Sequence, residues 1–117
     1  MNRELRLRED SEIRRTRAKG RAFADGPIVA RILSAPADPP RNRYSVVAGK
    51  RVGKSHERNR CKRLVREAIR LTEPDVLPGH DVVIVIRGGI AELTGLDVAQ
   101  ASWLRILKRA NLLRPEV

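Results

Sequence analysis

The chain of 117 residues contains one Cys, one Trp, one Tyr, one Phe, one Met and two His. Each scarcity excludes something. A lone Cys61 has no partner for an intramolecular disulfide. The separated His56 and His80 offer neither metal-ligand spacing nor a paired general base. No apolar run approaches the roughly 20 residues that a membrane-spanning helix needs. The start, Met1-Asn2-Arg3-Glu4, lacks an apolar signal core. A cytoplasmic protein with no membrane partner is expected. The length allows one compact domain over residues 1–117, with residues 1–8 and 114–117 expected as flexible ends.

Arginine is what the chain has in excess. Lys and Arg total 25 against 14 Asp and Glu, a formal net charge of +11, and 20 of the 25 are Arg. Guanidinium forks bind phosphate in bidentate fashion and stack on bases, so the bias points to nucleic acid. The excess is also focused. Residues 41–70 carry eleven basic against two acidic side chains, a net +9, while residues 22–40 and 71–117 are each at −1. Such a distribution suits a local polyanion site rather than a uniformly charged surface.

Periodicity defines the elements. Glu9 to Lys19 is expected as a short polar helix whose only large apolar residue is Ile13, closed by Gly20 at its C-terminal cap. Ile28–Leu33 follows Gly26-Pro27 and has strand character. It is bounded by the proline-rich loop Ala35–Pro40. Tyr44–Ala48 is a second strand, expected to pair antiparallel with the first. From Ser55 the period becomes helical: Cys61, Leu64, Val65, Ala68 and Ile69 form one apolar stripe, with Ser55 or His56 as the expected cap. Asp81–Ile86 is a continuous apolar strand of the kind that sits at the centre of a sheet. Leu96–Leu113 is the last helix, with Ala99, Trp103, Ile106, Leu107 and Ala110 on one face. The order α-β-β-(β)-α-β-α defines a small α+β sandwich.

Two motifs overlap in the basic window. Ala48-Gly49-Lys50-Arg51-Val52-Gly53-Lys54-Ser55 fits a relaxed phosphate-loop pattern between a strand and a helix. A nucleotidase also needs an acidic metal ligand at the end of a neighbouring strand, and Val85-Ile86-Arg87 ends in a cation. No nucleotide cofactor is therefore expected. The second motif is Lys50-Arg51-x-Gly53 followed by Arg58-Asn59-Arg60-x-Lys62-Arg63-x-x-Arg66-Glu67. Arg58 and Arg60 splay to different sides of the first turn, with Asn59 between them able to donate and accept. Arg58, Lys62 and Arg66 make one row along the helix, and Arg63, Arg66 and Arg70 a second. Glu67 is expected to pair with Arg63 or Arg70.

This second motif closely resembles the signature of the bacterial ribonuclease P protein subunit. The order of elements resembles that family over most of the chain. The resemblance implies a small basic protein that joins a large catalytic RNA to form an endoribonuclease, which removes the 5′ leader from precursor transfer RNA. It implies that the RNA performs the hydrolysis with Mg²⁺, that the isolated protein holds no cofactor, and that none of its side chains is catalytic. RNA-binding residues are then expected at Lys50, Arg51, Lys54, Arg58, Asn59, Arg60, Lys62, Arg63, Arg66 and Arg70. The implied fold is the ribosomal protein S5 domain 2-like sandwich, with an unusual left-handed βαβ crossover that no residue pattern reveals.

The resemblance also implies a leader-binding cleft between the first helix and the sheet, at Ile13, Arg17, Val29 and Arg31. Relatives line that cleft with aromatics, whereas alignment on Gly20 puts Ile13, Arg17 and Arg31 at those positions. Guanidinium planes also stack on bases. Phe23 and Tyr44 are candidate replacements or ordinary packing residues. A second class of function stays open at this point: a non-catalytic RNA-binding structural protein, such as a ribosome-associated subunit. Lowering the Mg²⁺ requirement of leader removal would separate the two.

Overall fold

The computed structural model describes residues 5–89 and 91–115. Its elements are α1 (Asp10–Lys19), β1 (Arg21–Asp25), β2 (Ile28–Ser34), β3 (Arg43–Ala48), α2 (Ser55–Thr72), β4 (His80–Ile86) and α3 (Leu96–Arg109), with short 3₁₀ turns at Lys50–Val52 and Glu73–Asp75. The four strands form one mixed sheet in the order β1-β2-β4-β3. Alternation of side chains divides it into two faces. Ile28, Ala30 and Ile32 of β2, Tyr44 and Val46 of β3, and Val82, Ile84 and Ile86 of β4 point one way. There they pack against Cys61, Val65, Ala68 and Ile69 of α2 and Ala99, Trp103, Ile106 and Leu107 of α3. On the opposite face α1 lies over β2 and β4. The result is a three-layer α+β domain.

β4 is central because its residues are apolar on both faces, and Val82 to Ile84 are buried regardless of direction. That centrality corrects the expected pairing of the strands at 28–33 and 44–48. β2 and β3 do run in opposite directions, but β4 lies between them, antiparallel to β2 and parallel to β3. A β2–β3 hairpin would have left the most apolar strand at an edge. The parallel β3–β4 pair is joined through α2, as a βαβ unit requires.

Three further differences have local causes. β1 has little apolar signal, and it forms a two-residue hairpin with β2 through Gly26-Pro27, where Gly26 takes φ +51°. Gly20 is needed for close approach and not for a left-handed cap. It is extended at φ −68°, and a Cβ there would lie 2.5 Å from the Thr16 carbonyl oxygen and 3.0 Å from the Ile32 nitrogen. α3 stops at Arg109, short of Leu113. The chain reverses at Asn111, with φ +57°, so that Leu112 is buried and its carbonyl accepts from the Leu77 N–H at 2.7 Å.

From residue 5 the N-terminal segment lies along the edge of β3. Leu7 is buried, its N–H donates to the Tyr44 carbonyl at 2.7 Å, and Arg6 forms a parallel bridge with Tyr44 on the outer edge of β3. At the other terminus, the Arg114 N–H donates to the Asp75 carbonyl at 2.7 Å. Residues 1–4 and 116–117 lie outside the described residues.

Candidate nucleic-acid interface

The loop between β3 and α2 shows why the two overlapping motifs differ in meaning. The Val52 N–H donates to the Gly49 carbonyl at 3.1 Å and the Gly53 N–H to the Lys50 carbonyl at 3.3 Å. The Lys54 N–H donates to Glu57 Oε1 at 2.9 Å, which caps α2 in place of the expected Ser55 or His56. A phosphate loop holds its ligand with free backbone amides. Here three of them are spent on the turn. Gly53 sits at φ +145°, and a Cβ at that position would meet the Glu57 side chain at 3.0 Å, so the Lys50-Arg51-x-Gly53 spacing encodes a tight turn. Lys50, Arg51 and Lys54 are left exposed at the positive end of the α2 dipole.

Along α2 the apolar stripe is sunk in the core and the cations ring the remaining surface. Asn59, Arg60, Arg63 and Arg70 are exposed, and Arg58, Lys62 and Arg66 half-buried. Arg58 Nη2 donates to Ser55 Oγ at 3.0 Å, which fixes its stem on the first turn. Arg70 is the exception to a free cationic row. Its Nε and Nη2 both donate to Glu67, at 3.0 and 2.5 Å, raising the guanidinium and lowering the carboxyl from their ordinary values.

The N-terminal strap adds two cations that periodicity alone could not assign to this surface. Arg6, Arg60, Arg63, Leu64, Arg66 and Glu67 line an open groove of about 510 Å³. A second recess, about 140 Å³, continues from it past Arg6, Leu7, Arg8 and Arg66 to Tyr44, Ser45 and Val46 on β3. Burial pushes the Arg66 guanidinium below its ordinary value, and the Arg6 charge pushes it further. Among the described residues no carboxylate forms an ion pair with Arg6, Arg60, Arg63 or Arg66. Among the described residues the groove is a concentration of positive charge whose one lining carboxylate, Glu67, is committed to Arg70. The alternation Arg6-Leu7-Arg8 was the available signal.

The second candidate region is the sheet face beneath α1. Val29 and Arg31 of β2 lie there, and strand register aligns Val29 with Val85 and Val47, all half-buried. Ile13 on α1 is half-buried and Arg17 exposed. The two aromatic candidates do not belong to this face. Phe23 pairs with Ala30 on the core side, with the Arg21 guanidinium 5.1 Å from its ring centre. Tyr44 is buried in the core, edge-on to Trp103.

A small three-layer α+β domain with one cationic helix surface, extended by two arginines from the strap, defines an RNA-binding protein. Comparison with known proteins supplies the family. The ribonuclease P family model matches residues 1–111. The ribonuclease P protein component of Herpetosiphon aurantiacus is 38% identical over 112 residues, 96% of this chain and 89% of the relative. That of Chloroflexus aggregans is 35% identical over 113 residues, 97% and 82% respectively. The solved Staphylococcus aureus RNase P protein superposes with a TM-score of 0.79 at 21% identity, covering 94% of this chain and 98% of that one. The Thermotoga maritima protein gives 0.77 at 24% identity, over 89% and 96%. The chain belongs to the ribonuclease P protein family, the protein components of an endoribonuclease of transfer RNA processing. Membership favours this role over the ribosome-associated alternative.

Proposed function

We propose that the chain binds the catalytic RNA of ribonuclease P through α2 and the strap, and holds the 5′ leader of precursor transfer RNA between α1 and the sheet. The observation that carries the first half is the groove between Arg6, Arg60, Arg63 and Arg66, whose charges have no carboxylate partner among the described residues. Phosphodiester oxygens neutralise such charges and release counterions from the RNA, which drives association. Lys50, Arg51, Lys54, Arg58, Asn59, Arg60, Lys62, Arg63 and Arg66 are the contact residues in this reading. Arg70 acts first as the partner of Glu67.

The leader half is supported by the apolar row Val29, Val85 and Val47, a floor against which bases can lie, with Arg31 beside it and Ile13 and Arg17 on α1. Guanidinium and ammonium groups dominate the candidate interface, and the one carboxylate lining its groove, Glu67, is held by Arg70, a surface poorly suited to a divalent cation. The divalent ions of this reaction are assigned to RNA phosphates. The protein's part is to neutralise charge and position substrate in the cytoplasm, where transcripts are processed.

Reconstitution with the cognate catalytic RNA tests the reading. Added protein lowers the Mg²⁺ concentration needed for leader removal, and Arg58→Ala with Arg60→Ala abolishes that gain. An unchanged Mg²⁺ requirement overturns it.

A further inference from the structure

α1 is tied to the sheet by an ion bridge whose three members come from three elements. Arg43 of β3 donates from Nε and Nη2 to the two carboxylate oxygens of Asp81 on β4, each at 3.0 Å. The same Nη2 lies 2.8 Å from Glu12 Oε2 on α1. Strand register puts Arg43 directly opposite Asp81, on the face that α1 covers. Asp81 is nearly inaccessible at 6% exposure, while Glu12 and Arg43 are partly open. The two carboxylates hold the Arg43 guanidinium above its ordinary value, the Asp81 hydrogen bonds first.

The rest of the attachment of α1 is thin. Thr16 is its only fully buried residue, and the hydroxyl is spent within the helix on the Glu12 carbonyl at 2.9 Å. Ile13 is half-buried and alone among polar neighbours. An amphipathic helix is ordinarily seated by an apolar stripe. This one is seated at its C-terminal end by the close approach of Gly20 to β2, and near its N-terminus by Arg43. Two fixed points determine how a rigid rod lies over a sheet.

We infer that Arg43 is a positioning residue: by bridging Glu12 and Asp81 it sets the gap between α1 and the sheet in which single-stranded RNA is held. The inference rests on the leader reading above. Arg43 does not itself reach the RNA through Nε or Nη2, because both are committed to carboxylates. It acts through the separation of Ile13 and Arg17 from Val29 and Arg31.

Glu12→Gln removes only the α1 arm of the bridge and leaves the Arg43–Asp81 pair intact. The reconstituted holoenzyme carrying it is titrated with precursor and mature transfer RNA. The ratio of the two affinities is expected to fall by about fivefold, the scale of one partly exposed ion pair, with catalytic-RNA affinity unchanged and faster hydrogen exchange confined to α1. Arg43→Lys, one ammonium between two carboxylates, moves the ratio in the same direction. Glu12→Asp recovers part of the loss. If the unsubstituted protein favours precursor and Glu12→Gln keeps that preference in full, the positioning role is wrong and the leader reading stands. If the unsubstituted protein shows no preference, both fall. A loss of catalytic-RNA affinity alongside the ratio marks a general structural defect and also overturns the inference.

Discussion

Arg6 and Arg66 line the same two recesses from opposite sides, one on the N-terminal strap and the other on α2, and the charge of Arg6 makes that of Arg66 harder to keep. A folded protein gains nothing from such a pair until an anion arrives. Arg6→Ala is therefore expected to leave the thermal midpoint unchanged or raise it, while weakening RNA binding. With about six phosphates engaged, the log–log salt slope is on the order of −5 for the intact protein, and its magnitude falls by about one in the variant. Filter binding across a salt series checks both values, and a slope near zero in the intact protein would sink the cationic-surface assignment.

The two candidate regions separate by mutation. Arg58→Ala or Arg60→Ala is expected to weaken association with the catalytic RNA by about 1–3 kcal/mol each, through loss of a charge-assisted contact. Arg17→Ala with Arg31→Ala leaves that association nearly intact and lowers the preference for precursor over mature transfer RNA. Equal ratios for the double variant and the unmodified holoenzyme would remove Arg17 and Arg31 from the cleft.

Asp25 at the end of β1 makes stability depend on acid. Arg105 donates to it from Nε and Nη2, both at 2.8 Å, and Ser102 Oγ donates at 2.7 Å. The Arg105 hydrogen bonds, foremost, hold its carboxyl down to about 2 from an ordinary 3.8. A lowered carboxyl stabilises the fold above its unfolded value, and that contribution disappears as pH falls through the folded value. Asp25→Asn should lower the unfolding midpoint by a constant amount above pH ~5, by much less near pH ~2, and by nothing below pH ~1. A difference that persists unchanged in acid would mean that packing, and not charge, is what Asp25 supplies.

Glu73 behaves in the opposite sense. Its carboxylate is pushed up by burial, and its hydrogen-bond donors are neutral, the Tyr44 hydroxyl and the Asn42 amide. The folded state therefore takes up a proton more readily there, and stability falls as pH rises through the folded value. Glu73→Gln keeps an oxygen to accept from Tyr44 and removes a partly desolvated charge. It is expected to stabilise the protein by about 1 kcal/mol at neutral pH, with the gain shrinking in acid. Calorimetry at the two pH values decides, and a loss of stability at neutral pH would reverse the argument.

How much of this was legible in the sequence depends on whether a property is carried by neighbours along the chain. The α2 stripe Cys61, Leu64, Val65, Ala68 and Ile69 and the central strand at 81–86 were legible because periodicity and apolar continuity are local. The pairing of Glu67 with Arg70 was legible for the same reason, the two lying three residues apart on one helix. What was not legible was long-range. Nothing in Arg21–Asp25 marks an edge strand, and its pairing follows from a two-residue turn. The assignment of Tyr44 and Phe23 to the core face depends on strand register. The docking of Arg6 beside α2 depends on an edge of β3 that the sequence could not identify as free.

The lone Tyr and lone Trp have a spectroscopic consequence. Their ring centroids lie 6.2 Å apart with planes at 79°, both side chains are buried, and the indole Nε1 has no hydrogen-bond partner among the described residues. All ultraviolet emission above the tyrosine band therefore comes from one buried site between α3 and β3. Emission reports on whether the core is assembled, because the indole passes from an apolar site to water when the chain unfolds. Folding and binding can thus be followed in a single cuvette, one from the protein's own indole and the other from a label on the RNA.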